Sequence, residues 1–120
     1  MLDHIGIGVR DPQASKAFYA AALKPLGIAV IMDFGEAVGL GSGGKPFFWI
    51  GKSPTATAAH VAFAAPDRKT VDAFYAAAIA AGGKDNGAPG IRAQYHPSYY
   101  GAFVLDSDGH NIEAVCHLPE

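Results

Sequence analysis

Two short segments of the chain, HIGIGV from His4 and HVAFAA from His60, alternate bulky with small residues. Because side chains alternate across a β-strand, the bulky residues of each segment lie on one face, and the histidine lies with Gly or Ala on the other. The bulky face suits packing beneath a helix, whereas the small residues leave open space beside the histidine. The pattern predicts two strands that each present one histidine on an open face.

Each predicted strand leads into a predicted amphipathic helix. Asp11 and Asp67 are N-cap residues, and Pro12 follows the first of them at the first helical position. Apolar residues then recur at helical spacing until Gly27 in the first helix and Gly82 in the second. The two segments therefore share one plan of strand, cap, helix and glycine stop.

The two segments also share their spacing. The motif FYAAA begins at Phe18 and again at Phe74, so both the histidine and the helix motif recur after 56 residues. Two copies of one unit that pack about a pseudo-twofold axis bring equivalent residues face to face. His4 and His60 are therefore predicted to be ligands of one shared metal ion.

Three short strand-like stretches follow each helix, separated by glycine-containing turns. The predicted order is βαβββ, twice, in one domain with a first module at 1–51, a linker at 52–59 and a second module at 60–118. The predicted later strands span 28–34, 36–41, 46–51, 91–95, 101–105 and 111–116.

Composition excludes several classes of protein. Half of the 120 residues are hydrophobic, 17% are charged and the formal net charge is −2, which favours a packed domain and gives no basic surface for nucleic acid. No apolar run reaches the roughly 20 residues of a membrane-spanning helix. Cys116 is the only cysteine, so an internal disulfide is impossible, and a cytoplasmic location is the expectation.

The segment FVLDSDGHNIEAV closes the second module with the pattern D-x-D-G-x-x-x-E at Asp106, Asp108, Gly109 and Glu113. Together with the repeated βαβββ unit, it resembles the vicinal oxygen chelate superfamily, which includes glyoxalase I, extradiol dioxygenases and bleomycin-resistance proteins. The resemblance covers essentially the whole chain. It implies an α+β fold in which two tandem βαβββ modules form a curved mixed-sheet cup.

By position, the resemblance implies that His4, His60 and Glu113 bind a divalent metal ion such as Zn, Fe, Mn or Ni. The residues support Glu113 independently, since a carboxylate in an otherwise apolar strand is costly unless it is paired or bound to metal. A salt bridge or an exposed sheet edge is the alternative for this residue. Two imidazoles and one carboxylate leave several metal positions open.

Glyoxalase I relatives carry a fourth ligand, a carboxylate on the last strand of the first module. Aligning PFF at 46–48 with NIE at 111–113 puts Phe48 at that place. The absence of the fourth ligand favours the three-ligand site of extradiol dioxygenases. It disfavours a strict glyoxalase I, whose proton shuttle depends on a metal-bound carboxylate.

The segment RAQYHPSYY at 92–100 offers further chemistry near the expected cup. His96 and Tyr100 are the predicted acid, base or hydroxyl donors. Arg92 is predicted to bind a substrate carboxylate, and Tyr95, Tyr99 and Phe48 are predicted to stack on a bound ligand. Ordinary packing of a loop is the alternative for each residue. His110 and His117 are expected at the surface and Trp49 in the core.

Three classes of function fit these observations. The first is a metal-dependent lyase or isomerase acting on a small substrate that chelates the metal through neighbouring oxygens, with a ring-cleaving extradiol dioxygenase as its close alternative. The second is a metal-free protein that binds a small molecule such as an antibiotic. The third is a structural homodimer with a vestigial site. A homodimer is predicted, and whether one cup is built from one chain or two stays open.

Overall fold

The computed structural model describes residues 1–55 and 57–120, and Ala56 of the predicted linker lies outside the described residues. The chain folds into two βαβββ modules, as predicted. The first comprises β1 (Ile5–Val9), α1 (Pro12–Ala22), a 3-10 turn (Lys24–Leu26), β2 (Ala29–Asp33), β3 (Ala37–Ser42) and β4 (Lys45–Lys52). The second comprises β5 (His60–Ala64), α2 (Arg68–Ala80), β6 (Lys84–Ile91), β7 (Tyr100–Leu105) and β8 (Asn111–Cys116).

Each module forms a four-stranded mixed sheet with the same strand order. The orders are β1-β4-β3-β2 and β5-β8-β7-β6. In both, the first strand pairs in parallel with the last, and the remaining pairs are antiparallel. This repeat confirms the predicted α+β fold class.

The helix caps follow the predicted chemistry. The carboxylate of Asp11 accepts a hydrogen bond from the backbone N–H of Ala14 (3.2 Å), and that of Asp67 accepts one from Thr70 (2.7 Å). Each bond satisfies one of the N–H groups that the first turn leaves without a partner. Within the described ranges, neither helix is long and apolar enough to cross a membrane.

The core lies between the helix-side faces of the two sheets. The rings of Tyr19 and Phe48 meet edge to face at 5.1 Å between centroids, and those of Phe48 and Phe63 at 5.3 Å. This packing joins the first helix, the first sheet and the second sheet. The opposite faces of both sheets stay open, with the side chains of His4 and His60 more than half exposed.

One strand was predicted at the wrong place. The first strand after α2 is β6 at Lys84–Ile91, whereas 91–95 was predicted. The sequence KDNGAPGI has no alternation of bulky and small residues, and the register of β6 against β7 shifts on both sides of Gly87. Residues 92–99 form a loop instead, closed by the hydrogen bond from the Arg92 N–H to the Tyr99 carbonyl (2.7 Å).

A buried histidine joins the two modules. His110 is fully buried, so the prediction that it lies at the surface is wrong. Its Nδ1 accepts a hydrogen bond from the Ala59 N–H (2.9 Å), so the neutral ring carries its proton on Nε2 and donates it to the Gly8 carbonyl (2.7 Å). The ring thus ties the end of β1 to the residues before β5.

The D-x-D-G turn supports this junction. One oxygen of the buried Asp106 accepts backbone N–H bonds from Asp108 and His110 (both 2.9 Å), and the other accepts the Tyr19 hydroxyl (2.5 Å). Burial, followed by the neighbouring Asp106 charge, raises the pKa of Tyr19. Arg10 donates to Asp108 (2.8 Å). The motif therefore has a structural role in fastening one module to the other.

Candidate metal and substrate site

Strand register identifies equivalent positions on the two open faces. In the second module Ala62 pairs with Glu113, and in the first module Gly6 pairs with Trp49. Gly6 and Ala62 are separated by the repeat of 56 residues. Trp49 is therefore the structural counterpart of Glu113.

This register corrects the prediction for Phe48. The Phe48 side chain points to the helix side, where it is fully buried between Tyr19 and Phe63, so it does not line the cavity of Glu113, and its stacking on a ligand stays a prediction. The predicted alignment was displaced by one residue, and a shift of one residue exchanges the two faces of a strand. Trp49 is half-buried at the open face, where a core position was expected.

Glu113 is almost completely buried, at 1% exposure, yet its carboxylate points to the open face of the second module. One oxygen lies 3.1 Å from Nε2 of His60, and the other accepts a hydrogen bond from the Tyr99 hydroxyl. Gly101 makes room for this arrangement, since a Cβ there would lie 3.2 Å from the same carboxylate oxygen. Residues of the sheet and of the loop together fix the position of the Glu113 carboxylate.

The hydrogen bond made by Nδ1 of His60 limits the protonation states that its Nε2 can have. Nδ1 lies 3.0 Å from the Asn111 carbonyl, which can only accept, so Nδ1 carries a proton. Nε2 then faces the Glu113 carboxylate with either a second proton or a free lone pair. A lone pair beside a carboxylate needs a cation between them, and ligating histidines commonly donate their other N–H to a backbone carbonyl. His60 and Glu113 therefore fit the donor set of a metal site.

Tyr99 is the hydroxyl donor of this site. Partial burial, followed by the hydrogen bond to Glu113, raises the pKa of Tyr99 to about 12. The hydroxyl is therefore protonated throughout the neutral range and donates to the carboxylate. The exposed Tyr95 ring lies 4.9 Å from the Tyr99 ring.

A cavity of about 490 Å³ contains this group of residues. Its lining residues are His60, Tyr95, Tyr99, Phe103, Asn111 and Glu113. The sequence analysis did not assign Phe103 or Asn111 to the site. Strand alternation could have found both, because they lie an even number of residues from Gly101 and Glu113.

Arg92 borders the cavity through Phe103. Its guanidinium donates to the carbonyls of Gly90 (2.9 Å) and Ala88 (2.8 Å) and lies 5.3 Å from the centre of the Phe103 ring. These contacts hold the loop before β7 against the sheet. Binding of a substrate carboxylate by Arg92 stays a prediction.

Tyr100 does not belong to the site. Its side chain points to the helix side, where the hydroxyl donates to Asp72 of α2 (2.6 Å) and Arg68 lies over the ring. The bond to Asp72, followed by burial, raises the pKa of Tyr100 to about 12. Tyr100 does not line the cavity, because neighbouring residues of a strand face opposite ways and Gly101 faces the cavity, and its catalytic role stays a prediction.

His96 lies behind Tyr99 and does not line the cavity. Its Nδ1 accepts the Ser98 N–H (3.0 Å), so Nε2 carries the proton of the neutral ring and donates to Nδ1 of the exposed His117 (2.6 Å). The His96 ring meets the Tyr99 ring edge to face at 5.5 Å. A catalytic role for His96 stays a prediction.

His4 is not brought to His60 and Glu113 within one chain. Among residues 1–55 and 57–120, no three His, Cys, Asp or Glu side chains are close enough to hold a metal ion. His4 and His60 line a second cavity of about 540 Å³, whereas Glu113 lines the cavity of His60 and Tyr99 and not this one. The His4 ring is exposed and contacts Asp3 (2.8 Å).

The comparisons with known proteins establish the family. The family model of the Glyoxalase/Bleomycin resistance protein/Dioxygenase superfamily matches residues 1–114. The chain belongs to this superfamily, as the sequence resemblance predicted.

Solved structures share the fold of this chain. A glyoxalase/bleomycin resistance protein from Albidiferax ferrireducens T118 is 32% identical, with a TM-score of 0.84 over 98% of this chain and 99% of that chain. A glyoxalase/bleomycin resistance protein/dioxygenase family enzyme from Burkholderia phytofirmans PsJN is 24% identical, with a TM-score of 0.75 over 97% and 98%. Lactoylglutathione lyase from Agrobacterium tumefaciens is 16% identical, with a TM-score of 0.71 over 97% and 92%, and shows the shared fold. No curated protein matches the chain significantly.

Proposed function

We propose that the protein is a metal-dependent lyase or isomerase that acts on a small substrate with two neighbouring oxygen atoms. A divalent metal ion is held by His60 and Glu113 of one chain and by His4 of a second chain in a homodimer. The observation that carries this proposal is the buried Glu113 carboxylate, which faces a histidine whose other nitrogen is bonded to a backbone carbonyl.

The buried carboxylate distinguishes a metal site from an ordinary salt bridge. A surface ion pair has two exposed partners, whereas here Glu113 is 1% exposed and His60 is half exposed toward the cavity. Desolvating a carboxylate costs several kcal/mol unless a proton, cation or set of donors offsets the loss. The Tyr99 hydroxyl and the His60 imidazole meet part of this need, and a metal ion beside Nε2 meets the rest.

A second chain supplies the third ligand in this proposal. His4 and His60 line one cavity of about 540 Å³, but within the described residues His4 does not join His60 and Glu113 in one group of possible ligands. A twofold-related chain can place its first module over the second module of its partner, which forms two equal sites. Each site then has His4 from one chain and His60 with Glu113 from the other.

The bound metal ion would stabilise negative charge that develops on a substrate oxygen. Tyr99 holds Glu113 in one orientation and keeps its proton at neutral pH. Asn111 fixes the tautomer and ring orientation of His60 through its carbonyl. Phe103 lies beside the His60 ring, with 6.3 Å between centroids, and forms one side of the cavity.

The position of Trp49 favours one alternative, an extradiol-type dioxygenase. Glyoxalase I relatives are expected to carry a carboxylate where the first module has Trp49, and this carboxylate supplies the base for proton transfer. A site of two imidazoles and one carboxylate suits iron and oxygen chemistry. Iron in the purified protein, together with oxygen uptake on addition of catechol, would select this alternative.

Elemental analysis of the protein purified without chelator tests the proposal. We expect about one metal ion per chain in the wild type and loss of the metal in His60→Ala and Glu113→Gln. His117→Ala is the matched control, because His117 is an exposed histidine outside the cavity, and this variant should keep its metal. Circular dichroism confirms that each variant is folded. Metal retained in both site variants, or no metal in the wild type after reconstitution, would contradict the proposal.

A further inference from the structure

Asn111 places a side-chain amide in the cavity that contains His60 and Glu113. It is the first residue of β8, it faces the same side of the sheet as Glu113 two positions later, and it lines the cavity of about 490 Å³. It pairs with His60 of β5 on one side and with Leu105 of β7 on the other. The carboxamide therefore lies beside the two proposed metal ligands without being one of them.

The side-chain oxygen of Asn111 is a buried hydrogen-bond acceptor. Within residues 1–55 and 57–120, it has almost no accessible surface and no hydrogen-bond partner. Nearly all buried acceptors in proteins are bonded, because an acceptor that is withdrawn from water without a partner loses the free energy of its hydration. The fold is not stabilised by this oxygen, so the reason for an asparagine at position 111 lies outside the packing of the fold.

The neighbouring donors of the cavity are directed to other acceptors. Nδ1 of His60 donates to the backbone carbonyl of Asn111 (3.0 Å), and its Nε2 lies 3.1 Å from the Glu113 carboxylate. The Tyr99 hydroxyl donates to the other Glu113 oxygen. Turning either residue to the Asn111 side chain would break the contacts that hold the carboxylate. A molecule that enters the cavity can supply a donor to this oxygen without breaking any of them.

We infer that Asn111 is a specificity-determining residue that accepts a hydrogen bond from a hydroxyl or N–H group of the substrate. The last torsion of an asparagine side chain is soft, so the oxygen can turn toward the cavity when a donor arrives. The inference rests on the proposed function, in which two neighbouring oxygens of the substrate bind the metal ion. The substrate then carries a third polar group, and an analogue without this group leaves the Asn111 oxygen unpaired and binds more weakly.

Thermal unfolding of Asn111→Leu tests the unpartnered oxygen. Leucine keeps the branched shape and leaves the backbone bonds of residue 111 to Ala59 and His60 in place. We expect the melting temperature to rise by about 3 °C, because a buried acceptor without a partner is removed. Asn86→Leu is the matched control at an exposed position of β6 and should change the melting temperature by less than about 1 °C. A lower melting temperature in Asn111→Leu alone would overturn the inference, because the oxygen would then have a partner within the protein.

Two pairs of hydroxamic acids test the recognition, because a hydroxamate binds a metal ion through two neighbouring oxygens. Glycolohydroxamic acid and 3-hydroxypropionohydroxamic acid each carry a hydroxyl group, and propionohydroxamic acid and butyrohydroxamic acid carry a methyl group at the same place. In calorimetric titrations of the zinc-loaded wild type, at least one hydroxylated probe should bind about tenfold more tightly than its methyl counterpart. This preference should vanish in Asn111→Leu, which should keep its zinc, and persist in Asn86→Leu.

The outcomes separate this inference from the proposed function. Equal affinity within both pairs in a protein that holds zinc would refute the role of Asn111 and leave the metal site intact. A preference that persists in Asn111→Leu would also refute it, as would loss of zinc from that variant, because residue 111 would then support the metal site itself. A protein that binds no zinc would overturn the proposed function, and the melting temperature of Asn111→Leu would then decide whether the oxygen is free to bind a ligand.

Discussion

The two modules have the same strand order and the same helix-side packing, but their open faces differ in chemistry. At equivalent positions, the first module has Trp49 beside Gly39, and the second has Glu113 beside Phe103. On the helix side, the residues one position earlier, Phe48 and Ile112, are both fully buried. The repeat thus preserves which face is core, while the open face carries an aromatic residue in one module and a buried carboxylate in the other.

The largest expected effect concerns the helix-side face, which is buried in both modules. Phe48→Ala should lower the free energy of unfolding by about 3–5 kcal/mol, because it removes a buried ring that contacts both Tyr19 and Phe63. Trp49→Ala, one residue further on, should cost only about 1 kcal/mol, because the indole is half exposed. Urea unfolding monitored by circular dichroism measures both. Equal losses would contradict the register that places the two side chains on opposite faces.

The junction between the modules gives the next effect. His110→Ala should destabilise the protein by about 2–4 kcal/mol, because it leaves the Gly8 carbonyl and the Ala59 N–H without their partner. His117→Ala is the matched control at an exposed position and should change stability by about 0.5 kcal/mol or less. Thermal unfolding compares them. Similar midpoints for the two variants would show that the His110 bonds do not hold the modules together.

A smaller effect concerns the alkaline stability of the second module. Because the pKa of Tyr99 in the folded protein is about 12, above its ordinary value, its contribution is fully present below about pH 10 and is lost as the pH rises through about 12. Tyr99→Phe should therefore lose less stability than the wild type between these pH values. Urea midpoints at several pH values test the slope, with Tyr95→Phe as the control that should follow the wild type. The same slope in Tyr99→Phe would contradict the bond to Glu113.

The smallest effect compares two glycines on the open faces. A Cβ on Gly6 would lie 3.8 Å from its nearest neighbour, so Gly6→Ala should be neutral within about 0.5 kcal/mol, as the alanine of the second module at the same place suggests. A Cβ on Gly101 would lie 3.2 Å from both Glu113 and Tyr99, so Gly101→Ala should weaken metal binding severalfold while the fold is retained. Metal titration and circular dichroism together measure this difference. Unchanged metal affinity in Gly101→Ala would argue against close packing of position 101 on the Glu113 carboxylate.

Most of the fold followed from local patterns in the sequence. The repeat of 56 residues, the alternation after His4 and His60 and the caps at Asp11 and Asp67 are local signals, and all describe elements that the structure contains. β6 was misplaced because a strand rich in Gly and Pro, with shifted register, carries no alternation to detect.

The site was harder to predict because it depends on pairing between distant strands. Whether position 48 or 49 matches Glu113 depends on the register of β4 against β1, and an error of one residue moved the prediction to the wrong face. The burial of His110 depends on its contact with Gly8, which lies 102 positions away in the chain. The separation of His4 from Glu113 likewise depends on how the modules pack, which neither module encodes alone.

The central claim is that one metal site combines His4 of one chain with His60 and Glu113 of another. A heterodimer of a His4→Ala chain and a His60→Ala chain, isolated with two different affinity tags, tests it most directly. One of its two sites has every ligand intact if the site is shared between chains, so we expect one metal ion per heterodimer and none in either variant homodimer. If each site were built within one chain, both chains would lack a ligand, and a heterodimer without metal would contradict the claim.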